Sequence, residues 1–239
     1  MHRLHCEQGL VVVLYNLIYR WQHWRFSQKA NVTPVGPLYQ QPVISRSQLF
    51  SNTRFLVIDC EMSGLNPKKC QLLSIGWVII EHGRIVNATA KHLLVHADRG
   101  TGESSKIHGL LDSNIAGAKS VATVLMLLMK LIPGSVLVFH HASLDLCFLQ
   151  KAAVENFRCP LLFSYVDTMM IEKKRLHLQG NVKGLRLAQC RQRYGLPDVM
   201  QHNALSDAVA TAELLLAQAS YLGKPENLRL SDMLLSCAH

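Results

Sequence analysis

FLVIDCEM, residues 55–62, decides the fold of this chain. Its first half is a short apolar run rich in branched residues, which suits a strand buried in a sheet. Its second half sets Asp59 and Glu61 two residues apart. At the strand period of two, both carboxylates point to one face. Two acids side by side at the end of a buried strand are costly unless a cation neutralises them.

The pattern on either side alternates strand and helix. QLLSIGWVII (71–80) and RIVNATAKHLLV (84–95) flank Glu81-His82-Gly83 and predict a hairpin. A helix is predicted over 118–132, stopped by Pro133-Gly134, then a buried strand over 135–142 and a helix over 144–154. A short strand over 163–168, a helix over 184–195 ended by Gly195 and Pro197, and a strong helix over 204–221 complete the series. The order predicts an α/β domain whose mixed, five-stranded sheet, antiparallel in its first three strands, is flanked by helices.

The chain has 239 residues, 49% of them hydrophobic, enough for one domain with a substantial core. Its net charge is +9, and residues 1–54 hold six bases (Arg3, Arg20, Arg25, Lys29, Arg46, Arg54) against the single acid Glu7. A basic surface suits a polyanion, although charge alone decides little. Residues 1–53 are expected to be a basic N-terminal helix and a linker (28–53, with Pro34, Pro37 and Pro42), 54–223 the main domain and 224–239 a tail. The apolar run over 9–21 is too short to span a membrane, and Asn16 interrupts it. It has no small-residue cleavage site. It predicts a helix packed on the body, the alternative being a membrane-surface or partner-binding helix. Seven scattered cysteines without a CxxC predict reduced thiols in a cytoplasmic protein. His92 and His96 have no cysteine pair beside them, which argues against zinc.

Two more acids stand at element ends. Asp145 follows the strand over 135–142, and Asp207 falls in the first turn of the last strong helix. Hard oxygen ligands suit Mg²⁺ or Mn²⁺, and four carboxylates can hold two such ions. A two-metal site suits in-line displacement at a phosphate, which needs a proton acceptor for the attacking water. His202, five residues before Asp207, is a sensible base. Taken singly, each has a plainer role: Asp59 could end a strand, Asp145 and Asp207 could answer helix dipoles, and His202 could be a solvated loop residue. The spacing alone reaches a metal site.

FLVIDCEMSGLNP (55–67) resembles the first motif of the DnaQ-like DEDDh 3′–5′ exonucleases, HHASLDLCFL (140–149) the second and HNALSDAVATAELL (202–215) the third. IHGLL (107–111) and VDTMMI (166–171) resemble two minor segments of that family. The resemblance spans about residues 54–220 and implies a ribonuclease-H-like fold and metal-dependent release of nucleotides from a 3′ end. By position it implies Asp59, Glu61, Asp145 and Asp207 as metal-binding catalytic acids and His202 as general base. It further implies Met62, Ser63, Leu65 and His108 as substrate contacts. Met62, His141 and Leu144 depart from the usual Thr, Asn and Phe, and none of these removes a catalytic group. DCEM is similar to oligoribonucleases, which leaves DNA, RNA and short oligomers open, while the third motif fits the polymerase-epsilon-like branch better. The expected function is hydrolysis of single-stranded DNA from the 3′ end. An exoribonuclease, or a proofreading subunit docked on a DNA polymerase through the N-terminal helix or the tail, is the alternative. A catalytically dead binding module fits poorly with the retention of all five polar groups.

Overall fold

The computed structural model describes residues 17, 19–98, 117–180, 183–199, 203–224 and 226–238. His108, His202, the 107–111 segment and most of the 9–21 run lie outside the described residues.

Strand β1 (Arg54–Met62) lies inside a six-stranded sheet. On one side it pairs antiparallel with β2 (Leu72–Glu81), which pairs antiparallel with β3 (Arg84–Leu94). The predicted hairpin turn is made by His82 and Gly83, both at positive φ (50° and 71°), the conformation that matches the twist of the flanking strands. On its other side β1 runs parallel to β4 (Ser135–Phe139), and β4 parallel to β5 (Ser164–Asp167). A two-residue strand, β6 (Ser236–Cys237), adds antiparallel to β5, so the order is β3-β2-β1-β4-β5-β6. The sheet is mixed as expected, with six strands instead of five. The sixth comes from the expected tail and is too short to show in a period-two pattern.

Helices cover both faces: α1 (19–30), α2 (Gly36–Tyr39), α3 (Val121–Met129), α4 (Ala142–Phe157), α5 (Thr168–Leu178), α6 (Leu187–Arg193) and α7 (Ala204–Leu222). Leu56, Ile58, Cys60 and Met62 of β1 share one core with α3, α4 and the N-terminal residues Tyr19, Leu38 and Tyr39. Phe55 and Val57, on the alternate row, share the other with Ala212, Leu215 and Ala219 of α7. Within the stretch expected to be a linker, Ala30, Val35, Leu38, Tyr39 and Phe50 are buried, while residues such as Val32, Pro34 and Val43 are exposed. Pro37 sits at the start of α2, where a missing N–H costs nothing. Helix α5 had no counterpart in the sequence expectation. Its TMMIEKKRLHL places charges on several sides and leaves no single apolar stripe.

Candidate active site

Side chains alternate along β1. Phe55 and Val57 face α7, and the same row continues into Asp59 and Glu61. Helix α7 starts where that row turns acidic, so Asp207, in its first turn, meets both. One carboxylate oxygen from each of Asp59, Glu61 and Asp207 lies within 4.8 Å of the other two, and all three residues are half-buried.

The start of α7 is fixed by two devices. Asn203 caps it: Oδ1 accepts from the N–H groups of Leu205 (3.1 Å) and Ser206 (2.9 Å), and the Ser206 hydroxyl accepts from the Asn203 N–H at 3.2 Å. This is a capping box. Beneath the cap lies Gly76 of β2, opposite Asp59 in the register. A Cβ there would collide with the backbone of Ala204 and Leu205, so only glycine lets the helix start rest on the sheet.

Asp145 reaches the site from the β4–α4 corner, where it is 5% exposed. His141 turns that corner in the left-handed region (φ 70°). The corner is held by Asp167, whose Oδ1 accepts from the His141 N–H and Oδ2 from the Ala142 N–H, both at 3.0 Å. Asp167 Oδ1 also accepts from the Met169 N–H at 2.9 Å and so caps α5. His140 is turned away from the acids, with Nδ1 2.8 Å from the Thr168 hydroxyl and Nε2 2.9 Å from the Leu185 carbonyl.

Electrostatically the acids form one group. Burial, then the charges of Asp145, Asp207 and Glu61, hold the Asp59 carboxyl well above the usual range. Burial, then Asp207, pushes Glu61 up to about 7. Burial pushes Asp145 up to about 7 against an opposing hydrogen bond from the Cys60 thiol. Asp145 Oδ1 is buried with no hydrogen-bond partner among the described residues. Such groups either keep protons or share a cation. An all-oxygen donor set with one unpartnered oxygen fits a hard divalent ion.

Of the expected substrate contacts, Leu65 is 79% exposed at the tip of the loop after β1. Met62 is buried in the core. The Ser63 hydroxyl accepts from the Gln71 N–H at 2.9 Å and closes its own loop. Gly76 and Asp167 were not singled out as site residues from sequence. Both left a signal: a glycine inside a strand pattern marks a close backbone approach, and Asp167 belongs to the VDTMMI segment.

The RNase_T family, described as exonuclease, matches residues 56–215. The DNA polymerase III subunit epsilon-like protein of Rhodobacter capsulatus is 33% identical over 169 residues, which is 68% of this chain and 23% of that protein. The DNA polymerase III PolC-type of Thermotoga maritima is 29% identical over 203 residues, 84% of this chain and 14% of that protein. The chain thus spans less than a quarter of the length of these relatives. Among solved structures, E. coli exonuclease I in complex with a dT13 oligonucleotide aligns with a TM-score of 0.58 at 13% identity, over 70% of this chain and 41% of that one. That likeness shows a common ribonuclease-H-like fold. No helix of the described residues is long and apolar enough to cross a membrane. The match over 56–215 runs from the strand that ends in Asp59 and Glu61 to the helix that carries Asp207, and the chain belongs to the exonuclease family, with a DnaQ-like domain.

Proposed function

We propose that the chain hydrolyses phosphodiester bonds from the 3′ end of single-stranded DNA, with Asp59, Glu61, Asp145 and Asp207 holding two Mg²⁺ or Mn²⁺ ions and His202 as general base. The observation that carries this reading is the convergence of the Asp59, Glu61 and Asp207 oxygens within 4.8 Å. When bound, such ions supply Lewis acidity, which activates the attacking water and neutralises the leaving oxygen of an in-line displacement.

The chain's own residues supply position and proton transfer. The β1 row and the capped start of α7 fix three carboxylates before any ion arrives, so little reorganisation accompanies binding. Asp167 fixes the fourth through the β4–α4 corner. Leu65 offers an apolar surface for the terminal nucleotide. His202 directly precedes the Asn203 cap in sequence, and an ordinary imidazole pKa of about 6.5 suits a base that takes a proton from water near neutrality.

The DNA reading is in keeping with the polymerase III relatives and with the oligonucleotide held by E. coli exonuclease I. The same relatives favour a second reading of the setting, in which the chain works bound to a DNA polymerase.

The test uses 5′-labelled single-stranded DNA and RNA of one sequence, incubated with pure protein in Mg²⁺, Mn²⁺ or EDTA, with Asp207→Ala as control. A ladder that shortens from the 3′ end, absent in EDTA and in the variant, is the expected result, with DNA the faster substrate. Unchanged hydrolysis by Asp207→Ala in saturating metal would refute the assignment. A faster RNA ladder would move the substrate class to RNA. His202→Ala should lower kcat by about 10²–10⁴-fold while leaving Mn²⁺ affinity within about twofold.

A further inference from the structure

Helix α1 turns an unusual face to solvent. Trp24 is 76% exposed and Trp21 54%, and Leu17, which precedes α1 (19–30) in sequence, is 58% exposed. Arg20, Arg25 and Lys29 are exposed between and beside them, and among the described residues none is paired with a carboxylate. No acid occurs in the sequence between Glu7 and Asp59 to offset them. The Arg25 guanidinium lies over the rings of Trp21 (5.7 Å) and Phe26 (5.4 Å). A cleft of about 410 Å³ opens beside Trp24, lined by Arg20, His23, Pro42 and Val43.

The platform is held from beneath. Tyr19 and Ala30 are buried in the core, and His23 Nε2 bonds the Tyr39 carbonyl at 2.6 Å. The Tyr39 hydroxyl donates to the Pro160 carbonyl at 3.0 Å, just past the end of α4. Helix α4 therefore links two places: its first turn carries Asp145, and its far end abuts the α1–α2 segment. Its 16 residues span about 24 Å.

Exposed aromatic rings interleaved with unpaired cations are the chemistry that holds a single strand: bases stack on the rings and phosphates meet the cations. We propose that the outer face of α1, with Trp21, Trp24, Arg20 and Arg25 at its centre, is a second contact for single-stranded nucleic acid, taking nucleotides upstream of the end being cut. The proposal rests on the nuclease reading for its substrate. An anionic membrane is the rival occupant, and it accounts less well for a narrow stripe whose neighbours include Gln28 and Gln41.

The experiment uses the whole chain in EDTA, so that binding is read without hydrolysis. Of the three tryptophans Trp21 and Trp24 are exposed on α1 and Trp77 is buried at 4% exposure, so quenching by stacked bases reports on α1. An oligonucleotide of roughly 20 bases should quench it, whereas a trinucleotide, too short to span both contacts, should not. By anisotropy of the labelled long strand, a Trp21→Ala/Trp24→Ala variant should bind about tenfold more weakly or worse. Arg20→Gln/Arg25→Gln, which keeps both rings, should weaken binding and flatten its salt dependence. Both variants should cut a trinucleotide in Mn²⁺ at the wild-type rate, which separates this platform from the acid cluster. Absence of quenching, or unchanged affinity in both variants, would overturn the proposal. So would an emission shift with phosphatidylglycerol vesicles but not with the oligonucleotide. A wild-type chain that binds the long strand through these tryptophans yet cuts nothing would sink the nuclease reading and leave the platform standing.

Discussion

Asp59 on β1 and Gly76 on β2 stand opposite each other, and the volume a side chain would need at Gly76 is filled by the backbone of Ala204 and Leu205. The helix bearing Asp207 thus rests on the strand neighbour of Asp59. The spacing of the two carboxylates is set by a missing methyl group.

Gly76→Ala should lift the start of α7 from the sheet. Overpacking of this kind costs about 1–3 kcal/mol, and the activity loss should exceed what that destabilisation explains. Calorimetric titration should show weaker Mn²⁺ binding and kinetics a kcat down by about tenfold or more. Gly223→Ala, with nothing within 4 Å of its Cβ, is the control and should change stability by less than about 0.5 kcal/mol. Unchanged Mn²⁺ affinity in Gly76→Ala would disconnect this contact from the site.

Protonation of the acid cluster gives the metal-free protein a pH dependence of known sign. Glu61 and Asp145 are pushed up to about 7 and burial holds Asp59 well above the usual carboxylate range, so the folded state prefers their protonated forms. Their contribution is full below the unfolded carboxylate range of about 4 and is lost as pH rises through about 7. In EDTA, Tm should therefore fall between pH 5 and pH 8, by several degrees. Saturating Mn²⁺ should raise Tm chiefly at the alkaline end. A Tm in EDTA that is flat across this window would contradict the clustering.

Asp59→Asn removes a charge that neighbouring carboxylates oppose. It should raise Tm in EDTA at pH 8 while cutting turnover by about 10³-fold or more. Gain of stability with loss of activity in one substitution is the mark of a site strained toward a ligand. A variant less stable than wild type under those conditions would count against it.

Asp167→Ala withdraws the acceptor for three backbone N–H groups, those of His141, Ala142 and Met169. The loss should cost about 1–3 kcal/mol in chemical denaturation and lower kcat, because the corner that aims Asp145 loses its tether. Asp167→Asn keeps one accepting oxygen and should fall between the two. If Asp167→Ala were destabilised but fully active, the corner would not depend on this side chain.

The chain declared its acids more openly than the parts that hold them. Period two set Asp59 and Glu61 on one face, and the start of an amphipathic helix marked Asp207, because both signals are local. The hairpin turn and the ends of α7 were legible for the same reason. The predicted strand over 135–142 stops at Phe139, because Asp167, 26 residues downstream of His141, captures the backbone there. A long-range bond of this kind leaves no trace in neighbouring residues. The approach of α7 to Gly76 is likewise a meeting of two segments 128 residues apart, and β6 pairs only because the chain returns to β5. Helix α5 escaped because its buried Glu172 is paired with Arg175 at 2.6 Å and Arg193 at 3.3 Å, a charged core position that breaks the apolar pattern.

Strand β6 has a colloidal consequence. The other margin of the sheet, β3, carries Arg84 and Lys91, charges that discourage a second chain from pairing there. The β5 margin is instead covered by Ser236 and Cys237, with the Ala238 N–H donating to the Phe163 carbonyl at 3.0 Å. A protein trimmed after Leu234 would keep every acid of the site and expose a bare strand beside it, a template on which copies could stack into aggregates.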